Sequence, residues 1–242
     1  MEINKIKPNR LFTFGCSFTK YKWQCWPNFL KWFQRAEVIN HGRVASSNDS
    51  IARSVVNGVL QDKKVDHVYI MWSGSDRYDV VNDREDVNEI NYNWHMNYGG
   101  HPDKTQHKNY QKYFLNENLN YFNTLEKILY IQIFLEKHKI DYTMMIYKAD
   151  VLKKEQFSPA ESLLTKQIDW SKFKFYKDKL GLWEFAQELY PDQFAEDTDQ
   201  HPLPLTHFKW VKDIIFESDI EPPIEEYRKL KEWKTLNLKE KN

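Results

Sequence analysis

Short apolar runs that stop at glycine or at clusters of Ser, Asn and Asp alternate, along much of the chain, with stretches whose apolar positions recur every three to four residues. Residues 11–14 (LFTF) end at Gly15 and read as a buried strand. Residues 26–33 (WPNFLKWF) predict a helix, with Pro27 suited to the first turn and Phe29, Leu30 and Phe33 at helical spacing. Residues 37–40 (EVIN) are a second short strand. Residues 46–60 predict an amphipathic helix, with Ile51, Val55 and Val59 on one face and a Ser/Asn/Asp-rich start able to cap it. Residues 67–72 (HVYIMW) form the clearest strand, stopped by Ser73, Gly74, Ser75 and Asp76.

Residues from about 80 to 118 are rich in Asn, Tyr and His, lack a clean period, and read as an insertion or lid. Residues 119–139 make the strongest helix, with Phe122, Leu125, Leu129 and Leu135 near one stripe, and 142–147 (YTMMIY) supply a fourth strand. Residues 205–216 predict another helix, and from about 223 to 242 the chain reads as a charged, solvated helix or tail. Fully apolar strands alternating with helices indicate an α/β fold with a parallel sheet covered on both faces. No internal repeat or long linker divides it, so 1–242 reads as one domain. In such sheets ligands bind at the carboxyl ends of the strands, which points to 15–19, 40–49 and 73–79.

Composition narrows this picture. The 242 residues are 41% hydrophobic and 16% aromatic, enough for a sizeable core. Lys plus Arg equals Asp plus Glu at 35 each, and the zero formal charge disfavours a broad phosphate-tracking surface, so no nucleic-acid partner is expected. Two cysteines, Cys16 and Cys25, make no disulfide framework and no zinc-type pair; His95, His101 and His107 lack tight ligand spacing, so no metal and no cofactor are expected. No apolar leader core and no run of about 18 apolar residues occurs, so the expectation is a soluble protein without a membrane partner. With only 7 glycines, Gly15 and Gly74 carry weight, because each follows a predicted strand where the chain must turn.

A serine at a strand end is weak evidence alone. It gains force beside DTDQHPLPLTHF (197–208), which holds Asp197, Asp199, His201 and His207 around two prolines. An activated serine needs a base within hydrogen-bond reach and a carboxylate to orient that base, and this segment holds both residue types. The bland readings are a turn serine at 17 and a helix-capping histidine at 201. Cys16, ahead of the turn apex, reads as a small buried hydrophobe. Trp23, Trp26 and Trp32 read as core packing rather than a sugar platform, and Asp76 with Arg77 as a pair that closes the third loop.

The order GCSF, ASSN, SGSD and DQHP resembles the four sequence blocks of the SGNH/GDSL hydrolases. The likeness is to a branch encoded by bacteriophages, through Gly15-Cys16-Ser17-Phe18-Thr19 with Tyr21 and Trp23, and Asp199-Gln200-His201-Pro202-Leu203-Pro204-Leu205-Thr206-His207. The resemblance implies a flavodoxin-like three-layer α/β/α sandwich and a serine esterase, deacylating a small ester or a sugar O-acyl group. It makes Ser17 the nucleophile, His201 the general base and Asp199 its orienting carboxylate. The oxyanion donors would be the Ser17 and Ala45 backbone N–H groups and the Ser75 side chain. The departures are Cys16 for Asp, Ala45 for Gly, Ser75 for Asn, and a spacing of two from Asp199 to His201, which leaves Asp197 against Asp199 and His201 against His207 open. The other reading is a catalytically weak or inactive phage structural or host-interaction protein on the same fold. Host cytoplasm or the virion is the location the resemblance implies; oligomeric state is left open.

Overall fold

Three neighbouring strands are buried along most of their length, and their side chains enter two different cores in turn, which sets the layering. A computed structural model describes residues 9–62, 64–77, 79–81, 94–96, 117–152, 158–196 and 199–238. Strands β1 (Asn9–Gly15), β2 (Ala36–Asn40), β3 (His67–Trp72) and β6 (Asp141–Ile146) form one parallel sheet in the order β2-β1-β3-β6. β1 pairs with β2 from Asn9↔Ala36 to Thr13↔Asn40, and with β3 from Leu11↔His67 to Gly15↔Met71. Successive side chains leave a strand on opposite faces. Phe12, Phe14, Val68, Ile70, Trp72 and Met144 therefore enter one core, and Leu11, Tyr69, Met71 and Met145 enter the other.

Helices α2 (Asn48–Gln61) and α3 (Glu117–Lys137) cover the first face with Ile51, Val55, Val59, Leu125, Ile128 and Leu135. Ser47 caps α2 by accepting from Ser50 N–H at 3.1 Å, so the helix starts just past the two serines of the predicted span. The buried stripe of α3 runs through Tyr121, Leu125, Ile128 and Leu135, whereas Phe122 and Leu129 flank it half-buried. Helix α1 (Trp26–Phe33), α5 (Leu182–Leu189), α6 (Pro204–Trp210) and α7 (Ile224–Leu238) cover the second face, and α4 (Pro159–Gln167) packs beside α3. The fold is thus a three-layer α/β/α sandwich.

Two departures from the sequence reading shape the site. The predicted helix 205–216 is α-helical only to Trp210 and continues over Val211–Ile215 as a π-helical turn. Ahead of it, β7 (Phe194–Glu196) and β8 (Asp199–Pro202) form an antiparallel hairpin that polar sequence had disguised as loop. The charged C-terminal run forms α7, but it is not wholly solvated: Leu230 is buried, and Trp233 packs on Trp23 with ring centroids 5.2 Å apart. Of the expected insertion the small β4 (Asp79–Val81) and β5 (Trp94–Met96) pair is described, and its last two residues, 117 and 118, open α3; the rest, with His101 and His107, lies outside the described residues. No helix among the described residues is long and apolar enough to cross a membrane.

Candidate active site

The site grows from the end of β1. Gly15 has φ +156°, and a Cβ there would collide with Thr19 Oγ1 and stand 2.9 Å from the Met71 carbonyl. The chain turns at once: Thr19 N–H donates to the Cys16 carbonyl at 2.9 Å, which leaves Ser17 at the apex. Cys16 points inward and is fully buried. The turn is braced by Asn40, which accepts from Gly42 N–H and donates to the Thr19 carbonyl, and by Trp26 Nε1, which donates to Thr19 Oγ1 at 3.3 Å. Six residues without regular structure, 20–25, separate this turn from α1, so Ser17 sits on a strand–turn–loop rather than directly against a helix.

The other half comes from 182 residues later. In β8 the side chains of residues i and i+2 share a face, so Asp199 and His201 stand side by side. His201 Nδ1 is 2.6 Å from Asp199 Oδ1, and its Nε2 is 2.7 Å from Ser17 Oγ. With the Nδ1 proton donated to the carboxylate, Nε2 is free to accept the Ser17 hydroxyl. Asp199 Oδ2 accepts a second bond from the Tyr21 hydroxyl at 2.9 Å. Burial works against the Asp199 charge, yet the bonds from His201 and Tyr21 hold this carboxyl below its ordinary value. Burial lowers the His201 imidazole from its ordinary value; Asp199 opposes this, and the charges of Arg77 and Lys22 add to it.

Of the residues expected at the site, Ser17, His201 and Asp199 meet in one hydrogen-bonded chain, and Ala45 and Ser75 are not part of it. Both lie on the adjoining loops. Ala45 follows β2 with φ 69°, the left-handed region where glycine is at ease, and Arg43 N–H ties that loop to the Gly15 carbonyl at 3.0 Å. Ser75 follows β3, whose end is locked by the buried Asn48: its side chain accepts from Ser73 N–H at 2.8 Å and donates to the Ser73 carbonyl at 3.0 Å. Asn48 is a support the sequence reading did not single out, although it stands in the ASSN block. Asp197 lies outside the described residues.

His207 does not join the chain. It is entirely buried beneath the hairpin, where burial and the neighbouring His201 push its imidazole down to about 3. Arg77 lies with its guanidinium 5.3 Å from the centre of the Tyr147 ring, and Tyr147 meets Phe18 edge-on at 5.0 Å. Cys25 is buried, and burial pushes its thiol up to about 12, which keeps it in the unreactive protonated form. Trp26 is core as expected, whereas Trp23 and Trp32 are half-buried. Among the described residues no three His, Cys, Asp or Glu side chains converge to hold a metal ion.

Set beside known proteins, the chain is similar in structure to a lipase from a goat rumen metagenome, with 10% identity over 80% of this chain and 90% of that one and a TM-score of 0.43. It is similar to a member of the lipolytic protein G-D-S-L family from Veillonella parvula DSM 2008, at 14% identity over 86% and 98%, TM-score 0.41. An alpha/beta hydrolase enzyme from the metagenome of Lake Arreo, Spain, aligns at 12% identity over 82% and 89%, TM-score 0.39. No curated protein matches the sequence. One family model does, over residues 8–184, a span that holds Ser17, Ala45 and Ser75 and ends before Asp199. On that match the chain belongs to the family of unknown function DUF6071.

Proposed function

We propose that the protein is a serine hydrolase that cleaves carboxylic esters, small ones or O-acyl groups on a sugar, through Ser17, His201 and Asp199. The observation that carries this reading is the continuous chain from Ser17 Oγ through both ring nitrogens of His201 to Asp199 Oδ1, at 2.7 and 2.6 Å. A plain turn serine has no use for such a partner, and a histidine that merely caps a helix has no use for a serine on one nitrogen and a carboxylate on the other. The four-block resemblance of the sequence supports the same assignment.

In this reading His201 Nε2 takes the Ser17 proton as Oγ attacks the ester carbonyl. Asp199 holds the ring in its Nδ1–H tautomer and stabilises the imidazolium that forms. The negative oxygen of the tetrahedral species would be met by the Ser17 and Ala45 N–H groups and the Ser75 hydroxyl, each such donor typically worth about 3–4 kcal/mol. Collapse breaks the ester C–O bond, and the departing alkoxide takes the proton from His201. Water, deprotonated by the same nitrogen, then releases the acid and restores Ser17.

Replacing Ser17 with Ala is expected to abolish labelling by a fluorophosphonate probe and to cut hydrolysis of p-nitrophenyl acetate by about a thousandfold or more. Wild-type turnover in that variant would refute the assignment. His201→Ala should match it, and His207→Ala should cost less. Because the imidazole must be neutral to act and its pKa is lowered by burial, the acid limb of kcat/KM should fall below the ordinary histidine value of about 6.5.

A further inference from the structure

Tyr21 touches both His201 and Asp199 at once. Its hydroxyl donates to Asp199 Oδ2, and its ring lies on the His201 imidazole with centroids 4.0 Å apart and planes 11° from parallel. Residues 21–25 have no helix or strand, so nothing in the local backbone dictates where this side chain goes. It is held from behind instead. Trp23 meets the Tyr21 ring edge-on at 4.7 Å, and its Nε1 donates at 2.9 Å to the carbonyl of Pro202, the residue after His201. Trp233, from α7, packs on Trp23 in turn. A row of rings thus runs from the C-terminal helix to the imidazole.

We propose that Tyr21 is a positioning residue that sets the orientation and the proton affinity of His201, acting on the carboxylate through its hydroxyl and on the imidazole through its ring face. The inference rests on the hydrolase reading for its kinetic consequence, though not for its effect on the histidine. Its two contacts push in opposite directions. A hydroxyl bonded to Asp199 Oδ2 draws charge away from Oδ1 and weakens the pull on the imidazolium. An electron-rich ring face beside the imidazole stabilises the imidazolium. The titratable and polar groups facing His201 besides Tyr21 are Asp199 and His207 from the hairpin and α6, Lys22 and Ser17 from the loop after β1, and Arg77 from the loop after β3. The Phe18 ring also lies tilted against the imidazole at 5.1 Å, unchanged in either variant below. Asp199 favours the protonated ring, Lys22 and Arg77 oppose it, and His207 is neutral above its own low pKa.

Two substitutions separate the contacts. Tyr21→Phe keeps the ring and removes the hydroxyl, so the His201 titration should move up. Tyr21→Leu removes both, so it should titrate below Tyr21→Phe. The titration is followed by NMR on the imidazole Cε1–H of the full chain, with the resonance assigned by its loss in His201→Asn. This readout needs no catalysis, so it tests Tyr21 even if Ser17→Ala leaves esterase activity untouched and the hydrolase reading falls. Kinetically, Tyr21→Phe releases one side of the Asp199 carboxylate. The lost orientation of Asp199 and His201 should outweigh the gain in basicity and lower kcat for p-nitrophenyl acetate about tenfold, with KM little changed. Tyr21→Leu also frees the imidazole face and should lower it about a hundredfold. An upward shift in Tyr21→Phe with a lower value in Tyr21→Leu supports the proposal. An unshifted or lowered titration in Tyr21→Phe overturns it, and this variant suffices if Tyr21→Leu does not fold.

Discussion

The two faces of the central sheet are packed with different materials. On one, α2 and α3 bring Ile51, Val55, Val59, Leu125, Ile128 and Leu135, a mostly aliphatic layer. On the other, α1, α5 and α6 bring Trp26, Phe29, Phe185, Phe208 and Trp210, a layer of interlocking rings. The aliphatic side has a groove of about 610 Å3 between α2 and α3, lined by Ala52, Val56, Leu129, Tyr130 and Ile133. The Ser17–His201–Asp199 chain is elsewhere, with Ser17 in the turn after β1 and the other two on the hairpin that leads into the ring-packed α6. This groove and the Ser17–His201–Asp199 chain therefore lie on different sides of the sheet. Aromatic side chains cover much area with few rotatable bonds, so they anchor backbone at small entropic cost. A site assembled from two distant segments needs that anchoring; a groove needs only filler.

The sharpest way to break this comparison is to cut one residue from each layer. Trp210→Ala should destabilise the fold by about 3–5 kcal/mol and Leu125→Ala by about 2–5 kcal/mol, read from urea unfolding midpoints. Well below the transition, Leu125→Ala should keep its ester turnover, whereas Trp210→Ala should lose part of it because α6 carries the hairpin. Equal turnover in the two folded variants would show that the ring layer has no special hold on the site.

Acid offers a gentler test. His207 and His67 are held neutral by burial, with imidazoles pushed down to about 3 and about 4. In the unfolded chain each takes a proton near pH 6.5. Their folded pKa values are depressed, so the stability tied to neutrality is complete above about pH 6.5. It is lost as pH falls toward 4 and then 3, at about 1.4 kcal/mol per pH unit for each histidine. Unfolding midpoints across pH 7 to 4 should show that decline, and His207→Gln should flatten it; an unchanged slope would mean that His207 is not buried neutral. The smallest effect belongs to the groove: Ile133, 56% exposed, should tolerate serine within about 0.5 kcal/mol and without change in turnover.

Much of the fold was legible because its signals are local. All four sheet strands and the helices at 26–33, 48–61 and 117–137 carry apolar periodicity strong enough to name them within about two residues. Helices α4 and α5 were not read, being short and amphipathic over only two turns, although Ser158, Pro159 and Glu161 spell a capping box. The hairpin was hidden for a different reason. Glu196, Asp199, Gln200 and His201 have the composition of a loop, and only pairing with β7 makes β8 a strand. That pairing also gives the two-residue spacing from Asp199 to His201 its sense, since a strand presents i and i+2 on one side where a helix would not.

Sequence by itself determined the alternation of apolar strands with helices and the sharp turn at Gly15, because each depends on the preferences of neighbouring residues. Its four-block resemblance offered Ser17, Asp199 and His201 as candidates, with Asp197 and His207 still open beside them. Tertiary structure alone decided that His201, not His207, faces Ser17, that Asn48 locks the end of β3, and that Tyr21 leans on both Asp199 and His201. These contacts join residues far apart along the chain. Whether two such side chains meet depends on how the layers pack, and no local preference encodes that distance.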